Sequence, residues 1–134
     1  MTLVIDASMV VAALIDAGPA GVWAESLLAA QPLSAPHLMP VETANILRRA
    51  TLAGEISADS AALAHADLAD LPVELFPYAP FADRVWELRA NVTCYDAWYV
   101  ALAEYLEAKV ATIDVKLSRA AGPRCGFETP PQPG

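Results

Sequence analysis

Cysteine and histidine are scarce in this sequence, with two of each in 134 residues. Cys94 and Cys125 have no CxxC spacing and no histidine pair beside them, so neither a zinc site nor a disulfide framework is supported. A reducing compartment fits that usage. Long hydrophobic runs are missing as well. The longest, Met9–Ile15 and Ala97–Ala103, have seven residues each, whereas a membrane-spanning helix needs roughly 20. No basic segment precedes an apolar run at the N-terminus, and Asp6 interrupts the run that is there, so no signal peptide is expected. These absences predict a soluble, cytoplasmic chain with no membrane partner. Positive charge is also in short supply: eight Lys and Arg stand against 16 Asp and Glu, for a net charge of −8 and a pI of about 4.5. Such a balance argues against a basic grip on nucleic acid and suits a protein that binds cations or a basic partner. Linkers, internal repeats and charge blocks are lacking. The only low-complexity stretch is TPPQPG, residues 129–134, which is expected to fray.

Alanine is what the sequence has in excess: 28 residues, which accounts for much of the 56% apolar content. The length suits one domain, residues 1–134, with a real core. Two short β-branched runs, LVI (3–5) and VATI (110–113), each end at an aspartate, Asp6 and Asp114. Runs of this kind suit parallel strands buried on both faces. VELFPYA (73–79) is a third strand candidate, with Pro77 suggesting an edge or a strand end, and PLSAPHL (32–38) is a weaker fourth. Helical patterns lie between them. Ser8 is read as the cap of a helix to Ile15. Pro19 opens a second helix to Gln31, and Pro40 a third over 41–52 that Gly54 closes. Ser57 caps a fourth to Leu71, and Pro80 opens a fifth to Ala90. Residues 95–108 form a sixth and 115–121 a short last one. Strands alternating with helices predict a three-layer α/β/α sandwich around a central, mostly parallel sheet.

Four acids stand at informative places in that pattern. Asp6 and Asp114 fall where buried strands end, and in open α/β sheets the functional crevice lies outside the carboxyl ends of the strands. Glu42 and Asp96 each sit in the first turn of a helix, where the dipole favours an anion by ~0.3–1 kcal/mol. If the four share a site, repulsion dominates: two like charges ~4 Å apart cost about 4 kcal/mol at an effective dielectric near 20. Such a group either holds protons or takes a divalent cation, and Mg2+ or Mn2+ prefers carboxylate oxygens. A metal-activated water beside open coordination positions is the chemistry of phosphodiester hydrolysis. Each acid also has a plain structural reading. Asp96 is then a helix cap or part of a wet stripe with Glu104 and Glu107, Glu42 a helix-start residue, and Asp6 and Asp114 turn residues.

The segments VIDASMVVAAL, PHLMPVETANILRR, TCYDAWYVALAE and ATIDVKLSRAA occur in this order. In order and separation they resemble the PIN domains of VapC-type toxins from bacterial toxin–antitoxin pairs, over Val4 to about Ala121. The resemblance implies a PIN-like fold and an Mg2+- or Mn2+-dependent endoribonuclease that cleaves structured cellular RNA. It implies that Asp6, Glu42, Asp96 and Asp114 are catalytic, with Asp6, Asp96 and Asp114 holding the ion. Glu42 would bind through a water or orient the attacking one. Products would carry a 5′-phosphate and a 3′-hydroxyl. Ser8 and Thr112 match hydroxyl positions beside that site. It further implies a cognate VapB-type antitoxin and a homodimer.

Of the basic residues, Lys116 and Arg119 follow Asp114 closely and are the first candidates to contact RNA phosphates, with Arg48, Arg49, Arg84, Arg89 and Arg124 behind them. The alternative for each is a solvated face or a surface ion pair. Trp98 and Tyr99 are read as core or dimer contacts, or as stacking surfaces for bases. Trp23 and Trp86 are read as core or groove residues, His37 and His65 as structural, and Cys94 as a small buried hydrophobe. Two rival functions remain open. One is a non-catalytic acidic module that binds a basic peptide. The other is a phosphatase with Asp6 as nucleophile, although such enzymes carry a second aspartate two residues on, where this chain has Ser8.

Overall fold

The computed structural model describes residues 1–132; the last two residues of the expected frayed tail, 133 and 134, lie outside the described residues. The elements run β1 (Leu3–Ile5), α1 (Ala7–Ile15), α2 (Pro19–Ala30), β2 (Leu33–Pro36), α3 (Met39–Leu52), α4 (Ala58–Asp70) and β3 (Val73–Phe76). After a 3-10 turn (Ala79–Phe81) come α5 (Ala82–Leu88), α6 (Cys94–Leu106), β4 (Val110–Ala111), α7 (Val115–Ser118) and β5 (Phe127–Glu128). The expected α/β architecture is present.

Every strand pairing is parallel, in the order β3-β2-β1-β4-β5. From β1 the chain steps outward to β2 and then β3, so right-handed crossovers keep α1 to α4 on one face. It then returns across β1 to β4, which places α5 and α6 on the other face. The packing agrees: α1 rests on α2, α3 and α4, while α6 rests on α5 and on β1, β2 and β4. The order reverses between β1 and β4, and a switch point of this kind is where parallel sheets open a crevice at their carboxyl ends.

Burial explains the strand composition. Leu3, Val4 and Ile5 of β1 are all buried, as are Val110 and Ala111 of β4, because helices cover both faces. β2 is buried throughout and stands second from the edge, a firmer place than its sequence suggests. β3 is an edge strand that ends before Pro77, as expected. The opposite edge, β5, has only two residues and leaves no readable pattern in the sequence.

The helix ends follow their caps, with one correction. Ser57 caps α4 through the Ser60 N–H, and Gly54 follows α3 at φ +75°, a conformation that suits glycine. Asp6 caps α1, its carboxylate accepting from the Met9 N–H. Ser8, expected in that role, is already inside the helix. The chain leaves β1 at Ile5, so the first side chain with extended backbone next to the helix is Asp6.

Among the described residues no single helix is long and apolar enough to cross a membrane. α6, apolar almost all round in sequence, buries Ala97, Tyr99, Val100, Ala101, Leu102 and Ala103. It exposes Tyr95 and Tyr105. Glu104 on the same helix takes a bidentate contact from Arg84, with Nε at 2.7 Å and Nη2 at 3.0 Å, and Nη2 also donates to the Gly122 carbonyl. Arg84 therefore ties the C-terminal loop to α6 and is not free to contact RNA phosphates.

Candidate active site

Asp6 is placed by β1 and clamped by the first turn of α1. Its Oδ1 accepts from the Met9 N–H at 3.0 Å and from the Ser8 hydroxyl at 2.7 Å. Ser8 Oγ in turn accepts from the Ile113 N–H at 3.1 Å, joining the end of β4 to the start of α1. The Thr112 hydroxyl accepts from the Asp114 N–H at 3.0 Å and lies 3.4 Å from the Ser8 hydroxyl, which donates to Asp6. Thr112 is fully buried, and through Ser8 it links the Asp6 side of the site to the Asp114 backbone.

Glu42 occupies the first turn of α3 and accepts a 2.6 Å hydrogen bond from the Tyr99 hydroxyl. Asp96 occupies the first turn of α6, where its N–H donates to the capping Thr93 Oγ1 at 3.1 Å. Asp114 caps α7, its Oδ1 accepting from the Lys116 N–H at 2.9 Å and the Leu117 N–H at 3.3 Å. All four acids thus start helices. Two of those helices follow the strands at the switch point, and the other two begin at the same end of the sheet.

Electrostatics links the four. Burial pushes the Asp6 carboxyl up to about 6; the bonds from Thr112, Ser8 and Met9 oppose this, and the charge of Asp96 adds to it. Glu42 is also raised, chiefly by burial, with the Tyr99 bond opposing and Asp96 again adding. Asp96 itself is raised by burial and then by Asp114, against its bond to Thr93. The charge of Asp96 thus adds to the upward push on Asp6 and Glu42, and that of Asp114 adds to the push on Asp96. Among the described residues no Lys or Arg side chain forms an ion pair with any of them.

The acids do not form a closed cage. Among the described residues no three Asp, Glu, His or Cys side chains stand close enough to hold one ion as placed. Their chemistry still suits a hard divalent cation, since Mg2+ keeps several waters and takes one or two carboxylates directly. A sizeable cavity lies elsewhere. A space of about 710 Å³ opens at the amino ends of the strands, around Thr2, Gln31, Lys109 and Glu128, and includes none of the four acids.

Several other expectations change. Cys94 is exposed, because the first helical position of α6 faces solvent. Trp86 is 61% exposed, with the Arg89 guanidinium 4.2 Å above its ring, so Trp86 lies outside the core and Arg89 is engaged. His37 and His65 are exposed. Lys116 and Arg119 are exposed beside Asp114, as a phosphate contact requires. Tyr99 is the residue whose role sequence reasoning missed. A tyrosine in an otherwise apolar buried turn was the available signal, because a buried hydroxyl needs a partner.

A scan of family models matches residues 3–123 to the PIN domain. Among curated proteins, ribonuclease VapC1 of Mycobacterium tuberculosis is 41% identical over 123 residues, covering 91% of this chain and 92% of that protein. Ribonuclease VapC9 of the same organism is 37% identical over 130 residues, covering 97% and 99%. Among solved structures, PAE2754 from Pyrobaculum aerophilum superposes with a TM-score of 0.72 at 18% identity, covering 95% of this chain and 83% of that one. VapC20 of Mycobacterium tuberculosis, described as a sarcin-ricin loop cleaving toxin, gives 0.67 at 18% identity, covering 87% and 93%.

Proposed function

This chain belongs to the PIN-domain family, and from that premise we propose that it is a VapC-type endoribonuclease toxin, dependent on Mg2+ or Mn2+ and silenced by a VapB-type antitoxin. The observation that carries the reading is that Asp6, Glu42, Asp96 and Asp114 all start helices at the carboxyl end of the sheet, with Asp6 buried and, among the described residues, no Lys or Arg ion pair to any of them. Support also comes from relatives named as VapC ribonucleases at 37% and 41% identity over nearly the whole chain.

Asp6 and Asp96, with Asp114, would hold the ion. When bound, it would relieve their repulsion, neutralise the scissile phosphate and make water acidic enough to attack near neutral pH. The chain supplies the rest. Met9 N–H and Ser8 fix the direction of Asp6, and Thr112 fixes Asp114 against it. Glu42, on α3 and not at a strand end, orients the attacking water and takes its proton. Lys116 and Arg119 meet the RNA backbone.

An antitoxin has a place to bind. A groove of about 320 Å³, lined by Ser8, Val11, Ala12, Ile15, Ile46 and Ile113 among others, runs from the Asp6 side of the site along α1. An apolar helix face would fill it, and the net charge of −8 favours a basic partner. We read the toxin as a homodimer, which sedimentation tests.

The purified protein is expected to cut structured cellular RNA at discrete positions in Mg2+ or Mn2+ and to leave it intact in EDTA, with 5′-end mapping as the readout. Cutting undiminished by EDTA would overturn the metal dependence, and intact RNA under both ions would overturn the activity. The rival reading, an acidic module that recognises a basic peptide without catalysis, draws on the absence of three preassembled ligands among the described residues. Calorimetric titration separates the two: millimolar Mn2+ without heat favours the module.

A further inference from the structure

We infer that Tyr99 is a positioning residue for Glu42: its phenol fixes one carboxylate oxygen of Glu42 so that the other is presented to the attacking water. The inference rests on the ribonuclease reading and assigns a role to a residue outside the four acids.

Tyr99 is 1% exposed, and its hydroxyl donates to Glu42 Oε1 at 2.6 Å, across 57 residues of sequence. That is the only side-chain hydrogen bond of Glu42 among the described residues. Packing alone does not call for this tyrosine. Phenylalanine would fill the same space, and a buried hydroxyl costs free energy unless it is bonded. One side chain of α6 therefore reaches α3 through Glu42, while the same helix carries Asp96 one turn earlier. Positions three apart on a helix share a face, so α6 delivers Asp96 and Tyr99 to the same crevice.

The consequence for Glu42 is directional. A half-buried glutamate in a first helical turn has three side-chain torsions, and among the described residues no second side-chain bond holds them. Engaging Oε1 from the buried side leaves Oε2 as the oxygen free to accept a proton. Burial and the adjoining Glu42 carboxylate push the phenol's pKa upward from its ordinary value, so at neutral pH it stays protonated, serves only as donor, and the arrangement does not reverse.

Tyr99→Phe removes the hydroxyl and keeps the ring. The expected result is a ~10–100-fold fall in kcat, the range seen when outer-shell partners are lost, with KM unchanged and melting still cooperative. The double variant Tyr99→Phe/Glu42→Gln should be no slower than Glu42→Gln alone, because residues that act through one another do not add. In EDTA, without RNA, a thermal-unfolding cycle over the same variants should show coupling between the two positions. Wild-type rates for Tyr99→Phe, losses that add to those of Glu42→Gln, or absent coupling in the unfolding cycle would each overturn the inference alone. A wild type that fails to cut RNA in both ions would overturn the ribonuclease reading and this inference with it.

Discussion

Asparagine in place of Asp6 is expected to slow RNA cleavage on the order of a thousandfold, as loss of a central electrostatic group does, and at the same time to stabilise the metal-free protein above pH 6. The sign comes from burial. The folded-state pKa of Asp6 is about 6 against a reference of 3.8, so the folded protein binds this proton more tightly than the unfolded chain. The resulting stability is fully present below pH ~4 and is lost as pH rises through 6. Above that, the ionised carboxylate costs the fold about 3 kcal/mol, at 1.36 kcal/mol per pKa unit over the shift from 3.8 to about 6. Asparagine carries no charge, and its Oδ1 still accepts from Met9 and Ser8. Urea unfolding in EDTA at pH 4 and pH 8 measures the effect. The variant should match wild type at pH 4 and exceed it at pH 8 by ~2–3 kcal/mol. Equal stability at both pH values would mean that Asp6 is not buried as a charge.

Divalent ions should reverse that penalty in the wild type. Ion at a hundred times its Kd adds about 2.7 kcal/mol to folding stability, which for a chain of this size raises Tm on the order of 5–10 °C. Mg2+ and Mn2+ should both act, at fixed ionic strength, because the effect is coordination and not screening. Asp96→Asn should lose most of the shift. The charge of Asp96 acts on Asp6 and Glu42, and that of Asp114 acts on Asp96, so removal of Asp96 would both relieve repulsion and delete a proposed ligand. Differential scanning calorimetry with and without Mn2+ tests this. A wild-type Tm that does not move would count against a cation site, and an undiminished shift in Asp96→Asn would remove Asp96 from it.

The misreadings have a common origin. Asp6 and Ser8 are both good helix-capping types two residues apart, and local preference does not choose between them. The end of β1 does, because pairing with β4 extends the backbone through Asp6. Cys94 and Trp86 are apolar by type but face solvent. Each of these depends on which face of a helix meets a neighbour.

The sequence alone determined the alternation of strands and helices and the placing of four acids at strand ends and helix starts. These are local matters: side-chain periodicity, caps and breakers act over a few residues and leave their pattern in the chain. Only the tertiary structure decided that the order reverses between β1 and β4, that Asp6 is buried with the charge of Asp96 acting on it, and that Tyr99 reaches Glu42. Coupling between carboxylates depends on distance and shared burial, and a hydrogen bond across 57 residues depends on how two helices dock. Neither is a property of any short stretch of sequence.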